Sequence, residues 1–129
     1  MSLLLLVDDD AQQLTIRKLL LEAAGHQVTV AEDAPEARRL LEELKPDVLV
    51  MDLRLPKLKD GLSLIRCVEQ NGLAARIIVL SGWTEDLYDH PEEKLVSRVL
   101  GKPIRHEHLM EAINAVVSSP ARNLRASAP

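Results

Sequence analysis

The sequence predicts an α/β fold, a doubly wound five-stranded parallel sheet in the order 2-1-3-4-5. Short aliphatic runs alternate with longer amphipathic stretches along the chain. The runs are apolar on consecutive positions, the pattern of strands buried on both faces. Repeated strand–helix alternation places helices on both faces of a parallel sheet, and right-handed crossovers leave a doubly wound topology.

The strand runs are Leu3–Val7, Val28–Ala31, Val48–Met51, Ile77–Leu80 and Arg98–Leu100. After the first comes an apolar stripe of Leu14, Leu19, Leu20, Ala23 and Ala24, with Asp10 as its N-cap. The second helix starts at Asp33, with Pro35 and Glu36 in its first turn. Its stripe is Ala37, Leu40, Leu41 and Leu44, and Pro46 ends it. Leu62, Ile65 and Val68 mark a third helix, closed by Asn71-Gly72. Between the fourth and fifth strands the stripe is thin and Pro91 interrupts it, so helix four is expected to be short or distorted. Leu109, Ala112, Ile113, Val116 and Val117 form the last helix. Periodicity stops at Ser118. One domain is expected over 3–118, with 119–129 a flexible tail or the start of a linker.

Composition narrows the function. The chain has 129 residues, 47% hydrophobic and 28% charged, enough for one core with a solvated surface. The only aromatics are Trp83 and Tyr88, which leaves few platforms for stacking single strands. A net charge of -4 argues against direct nucleic-acid binding. Cys67 is the single cysteine, which rules out an intrachain disulfide and fits a cytoplasmic location. The Leu3–Val7 run is too short to span a membrane.

In a doubly wound sheet the site lies beyond the carboxyl ends of the strands. Asp8 and Asp9 follow the first strand, Asp52 the third, Ser81 the fourth and Lys102-Pro103 the fifth. The topology therefore crowds three carboxylates together, with a hydroxyl and an ammonium beside them. Two such carboxylates repel by about 4 kcal/mol at ~4 Å in an effective dielectric of ~20. Protons or a cation must intervene, and an incomplete all-oxygen cage suits Mg²⁺, or Mn²⁺, with waters completing the shell. A carboxylate can attack phosphorus to give an aspartyl phosphate, and cationic and hydroxyl groups meet the charge that spreads over the equatorial oxygens.

The ordered strings Leu4–Asp10, Asp47–Pro56, Asp60-Gly61, Val79–Gly82 and Lys102-Pro103 closely resemble the receiver domain of bacterial response regulators, with its CheY-like fold. The resemblance covers about Leu3 to Ser118. It implies a phosphoacceptor at Asp52 and an Mg²⁺ site formed by Asp8, Asp9 and Asp52, with the backbone carbonyl of Arg54 as a further ligand. It implies that Ser81 and Lys102 bind the phosphoryl group, that Lys102-Pro103 is cis, and that the donor is a phosphohistidine on a histidine kinase or phosphotransfer protein. The role implied is a signalling switch rather than an enzyme in the ordinary sense, acting on a partner or an attached output domain.

Three departures from the family pattern stand out. The Pro56–Gly61 loop is one residue longer than usual and adds Lys57 and Lys59, read as solvated loop charge. Helix four lacks its usual Ala-rich pattern. Val99 replaces the aromatic that commonly sits three residues before the lysine, so the standard Thr/Ser–aromatic switch cannot operate. Trp83, two residues after Ser81, either flanks the phosphoryl group or covers apolar surface.

The alternative is a silent pseudo-receiver that only binds proteins, disfavoured because every core site residue is present. A haloacid-dehalogenase-like phosphatase would need an aspartate where Arg54 stands. Flavodoxin-like cofactor binding would need a phosphate-cradling loop after the first strand.

Overall fold

The computed structural model describes residues 2–118. Met1 and residues 119–129, the stretch read from the sequence as a tail or linker, lie outside the described residues. The elements in chain order are β1 (Leu3–Val7), α1 (Ala11–Ala23), β2 (Gln27–Ala31), α2 (Ala34–Leu44), β3 (Val48–Asp52), α3 (Leu58–Gln70), β4 (Arg76–Ser81), β5 (Arg98–Gly101) and α4 (His106–Ser118). The strands form one parallel sheet ordered β2-β1-β3-β4-β5, as the alternation of runs predicts.

Side chains alternate across the strands and so build two cores. Leu5, Val7, Leu49, Met51, Ile77 and Val79 pack on one face with the apolar sides of α2 and α3. Leu4, Leu6, Val48, Val50, Ile78 and Leu80 pack on the other with α1 and α4. Both faces are covered, which is why β1, β3 and the inner part of β4 are apolar on consecutive positions, while β2 at the edge carries Gln27 and Thr29.

The helix boundaries follow local chemistry. The Asp10 carboxylate accepts from the backbone N–H groups of Gln12 and Gln13 and caps α1. Asp33 accepts from the N–H of Glu36 and caps α2, while the Glu36 carboxylate accepts from the N–H of Glu32 just before the cap. It ends with Lys45 in the left-handed region at φ 49°, just before Pro46. Asn71 and Gly72, the latter at φ +62°, close α3.

Helix α1 turns a different face inward from the one its leucines suggest. Leu14 and Leu21 are buried, whereas Leu19 is 63% and Leu20 40% exposed, and Ala23 and Ala24 are exposed. Leu14 and Leu21 lie seven residues apart, two turns on one line, and a run of three leucines cannot all share that line. Leu44 and Val117 are likewise at the rim of their helices.

The segment between β4 and β5 departs further than expected. It holds two 3-10 turns, Thr84–Leu87 and Pro91–Leu95, in place of an α-helix. Pro91 supplies the first residue of the second turn, where its missing N–H costs nothing. Leu87 and Val96 still reach the core. Glu92 of the second turn is buried and pairs with Arg66 of α3, fastening the segment to the sheet's α2–α3 side. The longer Pro56–Gly61 stretch is absorbed by α3, which begins at Leu58, with the Asp60 carboxylate accepting from the N–H of Lys57. Lys57 and Lys59 are exposed, as solvated charge.

Candidate functional site

Each candidate residue sits at the carboxyl edge of the sheet because its strand ends there. Asp8 follows β1 and donates its backbone N–H to the carbonyl of Ala31. Asp52 is the last residue of β3, paired in register with Leu80 of β4. Ser81 ends β4 and faces Gly101 of β5. The N–H of Lys102 then donates to the carbonyl of Ser81, which fixes where the lysine leaves the sheet.

These strand ends converge. Asp8, Asp9 and Asp52 each place a carboxylate oxygen within 4.8 Å of the others. Asp8 is only 2% exposed, Asp52 half-buried, and Asp9 open to solvent. The Lys102 ammonium bridges the two deeper acids, donating to Asp52 Oδ2 at 3.0 Å and to Asp8 Oδ2 at 3.4 Å. A hard divalent ion fits this donor set, which is all oxygen and carries three charges on one small spot. Partial loss of water beside its neighbours first, and then the charges of Asp8 and Asp52, push the Asp9 carboxyl above its ordinary value.

Two candidates have partners the sequence does not disclose. The Ser81 hydroxyl donates to the carbonyl of Trp83 at 2.9 Å and accepts from the Trp83 N–H at 3.0 Å. It stands at the correct strand end but is engaged in its own turn. The Arg54 guanidinium makes a two-pronged pair with Asp86, Nε to Oδ2 at 2.9 Å and Nη2 to Oδ1 at 3.2 Å, and lies over the Trp83 ring. The hydrogen bond to Asp86 leads the effects that hold Arg54 charged. Trp83 thus packs under a cation and stays 55% exposed.

Sequence reasoning missed Arg17. From α1 its Nη1 reaches Asp8 Oδ2 at 3.1 Å. The signal was there: Arg17 falls three residues after Leu14 and four before Leu21, on the inward line of the helix. The Lys102-Pro103 bond is cis, as the resemblance implies, and so is Leu55-Pro56.

The chain matches the model of the response regulator receiver domain over residues 4–114. It belongs to the response regulator receiver domain family. The virulence transcriptional regulatory protein PhoP of Salmonella typhimurium is 36% identical over 123 residues, covering 91% of this chain and 52% of that protein. The transcriptional regulatory protein PhoP of Escherichia coli K12 is 46% identical over 77 residues, covering 60% of this chain and 34% of that protein. The chain thus spans about half or less of the length of these curated relatives.

Among solved structures, the receiver domain from Clostridium thermocellum superposes with a TM-score of 0.81 at 28% identity, covering 91% of this chain and 94% of that one. A signal receiver domain from Vibrio parahaemolyticus gives 0.83 at 21% identity, covering 97% and 95%, a likeness of fold alone. This receiver domain is a signalling module of two-component response regulators. Among its described residues no helix is long and apolar enough to cross a membrane.

Proposed function

We propose that this receiver takes a phosphoryl group onto Asp52, in an Mg²⁺-dependent reaction, from a phosphohistidine of a histidine kinase or phosphotransfer protein in the cytoplasm. The observation that carries this is the Lys102 ammonium, 3.0 Å from Asp52 and 3.4 Å from Asp8. A cation spanning the nucleophile and a neighbouring acid lies where transferred phosphoryl charge would need it.

In the proposed step a carboxylate oxygen of Asp52 attacks phosphorus. The P–N bond to the donor imidazole breaks, and its electron pair returns to the ring nitrogen. Asp8, Asp9 and Asp52, with the Arg54 carbonyl, would hold Mg²⁺, which when bound neutralises phosphoryl oxygens. Lys102 meets the charge on one of those oxygens. Ser81 contributes its hydroxyl once it is released from the Trp83 backbone. Attack of water on phosphorus later restores the carboxylate and releases inorganic phosphate.

The phosphorylated domain then acts on a partner or an attached output domain. The relatives named as transcriptional regulators extend well beyond the matched stretch, which covers 52% and 34% of their lengths, and this supports an attached domain. Val99 is partly buried against the core and the β4–β5 segment lacks an α-helix, so the output face differs from the usual aromatic switch.

Acetyl phosphate with Mg²⁺, followed by intact-mass analysis, tests the reading. Wild type should gain one phosphoryl group, about 80 Da, and Asp52→Asn should not. No gain in wild type, or an equal gain in Asp52→Asn, leaves the pseudo-receiver reading in its place.

A further inference from the structure

The Asp8 carboxylate has partners on both oxygens. Its Oδ1 accepts from the backbone N–H of Asp10, and its Oδ2 receives both Arg17 and Lys102. The Arg17–Asp8 pair is nearly dry, with side-chain exposures of 13% and 3%. Its attraction is therefore little weakened by solvent.

The two cations are not equivalent. Lys102 also contacts Asp52, so it belongs to the phosphoryl-binding arrangement. Arg17 comes from α1 and meets the cluster at Asp8. Three carboxylates with two cations leave one net negative charge. A divalent ion added to all five groups would leave one net positive charge, at the oxygen Arg17 already occupies. One monovalent cation becomes surplus, and Arg17 is the one with no contact to the nucleophile.

We propose that Arg17 is a built-in competitor of the divalent cation: its guanidinium occupies Asp8, is displaced when the ion binds, and sets how much metal the receiver needs. This rests on the reading of Asp8, Asp9 and Asp52 as the metal site. Arg17 is then a positioning residue. It holds Asp8 in place in the metal-free protein and raises the threshold for loading.

Calorimetric titration of the full chain with MgCl₂ tests this. Arg17→Ala and Arg17→Met, the second keeping an apolar stem on the sheet, should bind Mg²⁺ about tenfold more tightly than wild type, a difference of the size expected for one nearly buried charge pair. Arg17→Lys, which restores the charge, should fall back toward wild type. Lys18→Ala removes a charge one residue away that, among the described residues, pairs along the helix with Glu22, and should leave the affinity unchanged. In wild type, the Arg17 Nε–H resonance should move as Mg²⁺ is added.

Unchanged or weaker binding in the Arg17 variants overturns the proposal. So does equal tightening by Lys18→Ala, or an Arg17 resonance that ignores saturating metal. Acetyl phosphate labelling of the same samples keeps the two readings apart. Labelled Asp52 with no Arg17 effect sinks the competitor alone, whereas no labelling of wild type sinks the functional reading beneath it.

Discussion

The guanidinium carbon of Arg54 lies 4.6 Å from the centroid of the Trp83 ring. Arg54 is two residues past Asp52 and Trp83 two past Ser81, so this contact joins the loops that leave β3 and β4. Asp86 completes the cluster by taking both prongs of the guanidinium. A cation over an indole face, with a carboxylate at its edge, makes a wall at the loops that follow Asp52 and Ser81.

That wall should limit the approach of water to an aspartyl phosphate. Arg54→Ala is expected to shorten the phosphoryl lifetime roughly two- to fivefold, within the range a single exposed contact can exert on a rate. Asp86→Ala should act in the same direction and more weakly. The decay of phosphorylated protein after removal of donor measures both; equal lifetimes in all three proteins would show that the cluster guards nothing.

Gly61 is required by packing rather than by backbone angle. A Cβ placed there would lie 1.8 Å from the carbonyl oxygen of Leu53, so α3 meets the end of β3 at a distance only glycine permits. Gly61→Ala is therefore expected to destabilise by roughly 2–4 kcal/mol, against the ~1 kcal/mol that alanine gains within a helix. Gly82→Ala, where an added Cβ meets nothing within 4 Å, should change stability by less than ~0.5 kcal/mol. Urea midpoints compare the two.

Glu92 should carry a pH-dependent share of stability. Burial alone would raise its carboxyl, but the hydrogen bond and charge of Arg66 prevail and hold it below the ordinary 4.5. A carboxyl lowered by folding stabilises above the unfolded value and loses that contribution as pH falls through the folded one. Arg66 is half-exposed, so solvent screens the pair. Glu92→Gln should cost about 1 kcal/mol at neutral pH, and the two proteins should converge in acid. A cost that does not change with pH would mean that the pair's charge is unimportant.

The acidic cluster should trade stability for metal binding. Asp9 is raised by partial desolvation and by the charges of Asp8 and Asp52, so at neutral pH its charge opposes folding, and the opposition fades as pH falls toward its folded value. Asp9→Asn is expected to raise the thermal midpoint without metal and to reduce the rise that Mg²⁺ produces in wild type. A lower midpoint without metal would contradict this account of the cluster.

The sequence by itself determined the sheet and the candidate site's position. Runs such as Val48–Met51 are apolar on every residue, the pattern of a strand covered on both faces; Asp8, Asp52 and Ser81 follow such runs directly, and Lys102 comes just after the shorter fifth strand. Caps at Asp10 and Asp33 were legible because they act within one turn. Tertiary structure alone decided what depends on neighbours distant in sequence. Leu19, Leu20 and Leu21 are chemically alike, yet only Leu21 meets the sheet. The β4–β5 segment gives up its helix because Pro91 and a thin apolar stripe leave two short turns, which Leu87, Val96 and the Glu92–Arg66 pair hold in place. The partners of the site charges were decided the same way: the inward line of α1 marks Arg17 as facing the sheet, but only the packing of α1 brings it to Asp8, and Asp86 reaches Arg54 from a segment 32 residues on.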